Sequence, residues 1–249
     1  GQCYISQAHT GRSANRGECS QACRLPYTLV DEKGKVITED QHLLSMKDNN
    51  QSENLLALVQ AGISSFKIEG RLKDLSYVKN ITAHYRQLLD EIIAAHPQYS
   101  RASSGKSTYT FEPQPDKTFN RGYTDYFAGG RQDDIGAFDT PAFVGELIGE
   151  VVEIGDGWIV VNSEQAFHNG DGVCFHDANG DVMGMRINRV ESGAEGDKLF
   201  PAEMPEELTE GVTLFRNRDQ AFERALEKDS AERRISLKPV LTETDDAFV

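Results

Sequence analysis

Short apolar runs and helically spaced apolar positions alternate in the first hundred residues of the chain. The runs at residues 43–47 and 63–68 predict two strands, because each is brief and lies between polar turn residues. Between them, a stretch that Ser52 can cap and Gly62 can end predicts a helix. The order strand, helix, strand is the repeat of a parallel α/β sheet or barrel.

A longer helix follows the second predicted strand. Asp74 or Ser76 can cap it, and Pro97 closes it. Its apolar residues keep helical spacing: Tyr77, Val78, Ile81, Tyr85, Leu88, Leu89, Ile92 and Ile93. Two βα units cannot close an eight-stranded barrel, which needs about 250 residues. We therefore expect these units to belong to a parallel α/β sheet or barrel whose other strands lie outside this sequence.

The pattern changes after residue 97. Residues 98–137, interrupted by proline and glycine, predict an irregular linker. Residues 138–217 predict a small β-barrel, because short apolar runs recur there between Gly, Asp and Asn turns. Those runs lie at residues 143–148, 151–154, 158–161, 172–175, 182–190 and 212–215. Residues 218–249 predict a helix and the start of a further domain. The predicted fold class is therefore α/β plus β, with part of a parallel α/β sheet or barrel followed by a small β-barrel.

Charge is distributed unevenly along the chain. Residues 1–90 carry 11 Lys/Arg and 10 Asp/Glu, whereas residues 91–249 carry 15 Lys/Arg and 30 Asp/Glu. The acidic second part argues against extensive nonspecific contact with nucleic acid, which needs clustered cations. No apolar run approaches the roughly 20 residues of a membrane span. We expect a cytoplasmic protein that is not in a membrane, with any phosphate-rich partner bound by its first part.

Three of the four cysteines, Cys3, Cys19 and Cys23, lie in the loop-rich first 23 residues. Without a secretory signal, thiols brought together in this way favour a soft metal or an iron–sulfur cluster over disulfides. Three thiols do not complete a four-thiolate set, so buried or incidental thiols remain the alternative. Cys174 has no cysteine nearby in the sequence, and we interpret it as an ordinary buried thiol.

Lys67, Glu69 and Arg71 are candidate catalytic residues at the end of the second predicted strand. Alternation places their side chains on one face, and the carboxyl ends of strands build the active sites of parallel α/β folds. The three groups could bind an anionic co-substrate and transfer a proton. A structural ion-pair network is the alternative. Lys47, which ends the preceding predicted strand, is a weaker candidate for substrate binding.

Arg121 and Tyr123 are candidate substrate-binding residues in the predicted linker. An arginine beside aromatic residues could stack on a nucleobase. It could equally fasten the linker to the barrel.

Four segments resemble the signature regions of peptidase family U32. They are GQCYIS at residues 1–6, NRGECSQACR at 15–24, FKIEGR at 66–71 and FNRGYT at 119–124. The resemblance is strong over residues 1–130 and looser beyond. It implies a TIM-like (β/α) barrel followed by a small β-barrel. By this resemblance, residues 1–97 hold the cysteine segment and the C-terminal part of the TIM-like barrel.

The resemblance also implies a [4Fe–4S] cluster held by four cysteines. Cys3, Cys19 and Cys23 match three of the ligands, and the family's first ligand lies a few residues before the position of Cys3. We therefore expect this chain to hold an incomplete ligand set and to be inactive by itself.

Within the family, the chain looks most similar to bacterial members linked to oxygen-independent hydroxylation of large-subunit ribosomal RNA. The resemblance implies ribosomal RNA as a partner and a small anion such as prephenate as co-substrate. Two alternatives stay open: a genuine protease, as the family name says, or a noncatalytic module that binds RNA or protein. The sequence has no G-x-S-x-G or H-E-x-x-H motif to favour a protease.

Overall fold

A computed structural model describes residues 4–70, 73–193 and 196–242. Within these ranges the α-helices are α1 (Ile5–Thr10), α2 (Leu55–Gln60), α3 (Leu75–Ala95) and α4 (Gln220–Glu227). The first five strands are β1 (Tyr27–Val30), β2 (Val36–Gln41), β3 (Asp48–Asn49), β4 (Lys106–Tyr109) and β5 (Tyr123–Thr124). The other strands are β6 (Glu146–Gly155), β7 (Trp158–Asn162), β8 (Gly172–His176), β9 (Val182–Gly193), β10 (Gly196–Pro201), β11 (Thr213–Arg218) and β12 (Ala231–Arg234). No helix in the described ranges is both long and apolar enough to cross a bilayer.

Strands β6 to β11 close into an antiparallel barrel, which confirms the predicted β-barrel. Their order around it is β10, β7, β6, β11, β8, β9, and β9 pairs with β10 to close the ring. Inward-facing side chains fill the barrel: Ile148, Val151, Ile159, Val161, Phe167, Val173, Phe175, Met185, Ile187, Leu199, Leu208 and Leu214. Sequence reasoning missed β10, because Leu199 and Phe200 are its only strongly apolar residues.

The two strands predicted at residues 43–47 and 63–68 do not form. The first holds a turn and one isolated bridge, between Met46 and Gly136, and the second has no regular structure. A parallel strand is stable only when neighbouring strands bond its backbone groups, and no strand in the described ranges lies beside residues 63–70. Ile63 and Ile68 consequently remain exposed. The α/β-barrel part of the predicted fold class thus remains a prediction.

The predicted helices form, although one begins later than expected. Asn54, not Ser52, is the N-cap residue of α2, and Gly62 ends this helix in a left-handed conformation. Of the two predicted caps of α3, Asp74 is the one that forms, since its carboxylate accepts a hydrogen bond from the amide of Tyr77 at 2.7 Å. Each of these boundaries depends on residues within the helix or next to it.

The predicted linker of residues 98–137 is more ordered than its composition indicated. β5 pairs in parallel with β3, joining Asp48 to Tyr123, and β4 pairs with β12. The buried side chain of Asn80 in α3 bonds the backbone of Gln114 in both directions and the hydroxyl of Thr118. These contacts fold the linker back over β3 and α3, where the candidate site lies.

Candidate functional site

The short ladder between β3 and β5 is centred on an ion pair. The carboxylate of Asp48 accepts a hydrogen bond from the backbone amide of Arg121 at 2.9 Å and lies 3.2 Å from its Nη1. Nε of Arg121 donates to the carbonyl of Pro141 at 2.9 Å. The Arg121 side chain is only 12% exposed. Arg121 is therefore held in one orientation beside β3.

A pocket opens next to this ion pair, between β3, β5 and α3. It is a small, open pocket with a cavity volume of about 40 Å³, and aromatic and polar side chains line it. The lining residues are Asp48, Asn49, Asn50, Tyr77, Ile81, His84, Tyr85, Pro115, Phe119 and Tyr123. Mostly aromatic walls with a few polar groups are typical of small-molecule sites.

Tyr123 offers an unused polar group to this pocket. Its hydroxyl is buried and has no hydrogen-bond partner among the described residues, whereas that of Tyr85 bonds both Asn50 and Gln51. Burial, followed by nearby carboxylates, raises the pKa of Tyr123, so the group stays a neutral donor. A buried polar atom without a partner is costly, which makes this hydroxyl a candidate contact for a ligand.

Cationic groups gather at the rim of the pocket, around the ring of Phe119. Nζ of Lys73 lies 2.9 Å from the centroid of this ring, and Cζ of Arg121 lies 4.5 Å from it. Burial and the positive charge of Arg121 lower the pKa of Lys73 to about 8. Sequence reasoning missed Lys73. The available signal was its position in the loop just before α3, where sites of α/β folds lie.

The cysteine segment docks against the residues that lead into β3. Nη1 of Arg24 donates to the hydroxyl of Ser45 at 2.7 Å and to the carbonyl of Met46 at 2.9 Å. Cys19 is exposed, Cys23 is half-buried, and both are free thiols. Cys23 is near enough for its charge to act on the pKa of Arg121, which burial lowers and Asp48 raises.

The predicted site residues fall into three groups. Lys47 reaches Asp134 at 2.6 Å and packs its stem beside Gly122, so it lies with Arg121 and Tyr123 as candidate binding residues. Lys67 and Glu69 form an exposed ion pair at 3.0 Å. The strand that was to place them on one face is absent, so this reason for grouping them is wrong. Cys3 and Arg71 lie outside the described residues.

The barrel holds a second charged cluster, in which Arg216 is the central cation. His168, Asp171 and Asp219 offer ligand atoms within 4.8 Å of one another. The two carboxylates already face Arg216, and Lys117 lies 2.5 Å from Asp219. Because these cations neutralise the acids, the cluster is a structural network and not a metal centre.

Cys174 is the buried thiol that the sequence predicted. Its Sγ donates to the carbonyl of Val144 at 3.1 Å, and burial raises its pKa to about 11. His176, on the same strand, bonds the carbonyl of Gly180 through Nδ1. A thiol that stays protonated is a poor nucleophile, so this pair does not resemble a cysteine-protease site.

Comparison with known proteins assigns the chain to a family. The model of peptidase family U32 matches residues 1–137, the part that carries the cysteine segment and the pocket. The chain belongs to peptidase family U32. This confirms the resemblance drawn from the four sequence segments.

Relatives in family U32 are named either for the hydroxylation of RNA or as proteases. The 23S rRNA 5-hydroxycytidine C2501 synthase of Escherichia coli is 53% identical over 241 residues, which is 95% of this chain and 37% of the relative. The tRNA hydroxylation protein P1 of Bacillus subtilis is 36% identical over 38% of this chain and 24% of its own length. A collagenase of Porphyromonas gingivalis is 29% identical over 77% of this chain and 52% of its own length. The chain thus spans from about a quarter to about half of these relatives.

Proposed function

We propose that this chain is part of an iron–sulfur-dependent, oxygen-independent hydroxylase that acts on large-subunit ribosomal RNA in the cytoplasm. The observation that carries the proposal is the 53% identity to the Escherichia coli rRNA hydroxycytidine synthase, which extends over 95% of the chain. That match leaves only a small part of the chain uncovered, so it extends over both the pocket and the barrel.

The cysteine segment fits the proposed [4Fe–4S] cluster as far as it is described. Cys19 and Cys23 are free thiols, and the amide of Gln21 donates to Sγ of Cys19 at 3.4 Å. An N–H directed at sulfur stabilises a thiolate ligand of such a cluster. In this proposal Cys3, Cys19 and Cys23 hold the cluster with a fourth cysteine of the longer protein. When bound, the cluster would supply one-electron chemistry.

The pocket beside β3 is the proposed place for substrate. Its rings could stack on a base, and the hydroxyl of Tyr123 could donate to a polar edge of that base. Arg121 and Lys47 would bind the RNA backbone or a small anion such as prephenate. Lys67, Glu69 and Arg71 remain proposed catalytic residues in the longer protein, where neighbouring strands could order them.

A protease is the second candidate, because a relative named collagenase covers 77% of this chain. The described residues give it little support, since Cys174 is buried, protonated and without a catalytic partner. The rRNA proposal is therefore preferred, and the two differ in which cysteines they require.

The test compares two cysteine variants of the protein extended at its N-terminus by the preceding family segment. After purification without oxygen, we expect about four iron and four sulfide per chain in the unmodified protein. Cys174→Ala should keep them, and Cys19→Ala should lose them. Mass spectrometry should then find 5-hydroxycytidine in ribosomal RNA from cells with the Cys174→Ala protein and not from cells with Cys19→Ala. Normal hydroxycytidine with Cys19→Ala, or peptide cleavage that survives it, would overturn the proposal.

A further inference from the structure

The ammonium group of Lys73 lies between two rings that line the pocket. Its Nζ is 2.9 Å from the centroid of Phe119 and 5.9 Å from that of Tyr77. No carboxylate among the described residues forms an ion pair with it. Contact with ring faces stabilises a cation weakly compared with a hydrogen-bonded anion. The side chain is thus positioned at the pocket without a carboxylate of the described residues bound to it.

The carboxylates near Lys73 are already engaged. Asp48 binds Arg121, and the carboxylate of Asp74 accepts the amide of Tyr77 at the start of α3. Three cations, Lys73, Arg121 and Arg24, therefore face two occupied carboxylates. The excess positive charge explains why Arg121 and Arg24 both act to lower the pKa of Lys73, in addition to its burial.

Arg121 also has a hydrogen-bond donor that is available to a ligand. Its Nε and Nη1 bond Pro141 and Asp48, whereas Nη2 has no acceptor in the described part of the chain. With Lys73 and Arg121 both near the ring of Phe119, an oxygen-rich anion could accept from Nζ and Nη2 together. Low local dielectric at a partly buried site strengthens such charge-assisted bonds.

We infer that Lys73 and Arg121, which both lie near the ring of Phe119, form an oxyanion-binding subsite at the rim of the pocket. It takes a carboxylate or a phosphate group, from a small acid or from the RNA backbone. The inference rests on the proposed function only for the source of the anion. The charges that act on Lys73 come from Arg121, Asp48, Asp74 and Arg24, and the last of these belongs to the cysteine segment.

The binding test uses sulfate, which keeps its charge across the relevant pH range. Sulfate is titrated into the isotope-labelled 249-residue chain at constant ionic strength, because screening alone would otherwise shift signals. We expect saturable changes at the amides of Gly122 and Tyr123. Lys73→Met keeps the stem over Phe119 and removes the charge, so it should bind sulfate about tenfold more weakly or worse. Lys35→Met, an exposed lysine in the β1–β2 turn, is the matched control and should bind normally.

A second variant separates a charge effect from a folding defect. Because Lys73 loses its proton near pH 8, sulfate binding by the unmodified chain should weaken as pH rises from 7 to 9. Lys73→Arg stays protonated and should bind sulfate equally at both values. Equal binding by Lys73→Met and Lys35→Met, no saturable change near the pocket, or the same pH dependence with Lys73→Arg would each overturn the inference.

Competition identifies the source of the anion. Displacement of sulfate by malonate and not by a short single-stranded RNA supports a small carboxylate. Displacement by the RNA alone supports a backbone phosphate. If neither malonate nor the RNA displaces sulfate when added in large excess over it, the inference is overturned. All these readouts measure binding, so they stand or fall separately from hydroxylase activity.

Discussion

Removal of Arg216 tests how far buried charge stabilises the barrel. Arg216 lies in β11 with its side chain 4% exposed, and Nε and Nη2 both donate to Glu146, at 2.9 and 2.6 Å. The same guanidinium bonds Ala166 and Gln165 and faces Asp171 and Asp219. In Arg216→Met the apolar stem is kept, but every one of these contacts is lost.

The expected cost follows from the carboxylates left behind. Asp171 is fully buried and Glu146 is 19% exposed, so neither can be solvated well after the change. Only Asp219 keeps a cation, Lys117. Removing one partner of a buried ion pair costs about 3–5 kcal/mol, and we expect a loss of unfolding free energy in that range.

Urea unfolding measures this loss directly in the barrel. Trp158, the single tryptophan of the chain, lies in β7 and reports barrel unfolding by fluorescence. The exposed residue Arg186 on β9 supplies the control, since Arg186→Met should change stability by less than about 0.5 kcal/mol. A loss below about 1 kcal/mol for Arg216→Met, or one equal to the control, would refute the reasoning.

Two further predictions concern single positions in the barrel. Cys174 should resist alkylation at pH 8 until the chain is unfolded, because burial raises its pKa to about 11. The exposed thiol of Cys19 should react in the native state. Peptide mapping by mass spectrometry checks this, and labelling of Cys174 in the folded protein would contradict it. Gly145→Ala and Gly157→Ala both place a side chain at positive φ, but only at Gly145 would the new Cβ meet backbone, 1.9 Å from the carbonyl oxygen of Arg216. In urea unfolding we expect Gly157→Ala to lower the free energy of unfolding by about 1 kcal/mol and Gly145→Ala to lower it by more than about 3 kcal/mol. Equal losses for the two variants would show that the barrel relaxes around the clash.

Local chemistry made part of this structure predictable. The cap of α3 at Asp74, the end of α2 at Gly62 and the buried character of Cys174 were all read correctly from short stretches of sequence. Each depends on a few neighbouring residues or on the apolar nature of one strand. The barrel was also predicted, because its strands appear as short apolar runs between turn residues, although three of its six pairings join strands that are not consecutive in the sequence.

The sequence predicted only some residues of the candidate site. Arg121 and Tyr123 were chosen for their side chains, but their partner Asp48 is 73 residues away from Arg121. Lys73 was missed, since its meaning comes from the ring of Phe119 and not from its neighbours in the chain. Lys67 and Glu69 were grouped on a strand that needs neighbours which the described chain does not provide.

The sequence by itself determined the family, the positions of the cysteines, the presence of the helices and the small barrel, because periodicity and motifs are local properties. Only the tertiary structure decided that β5 pairs with β3, that Lys73 and Arg121 meet around Phe119, and that residues 63–68 form no strand. Those outcomes depend on backbone pairing and charge proximity between distant segments. A parallel strand pairing and a cluster of like charges have no local signature, since both arise from the way the whole chain folds.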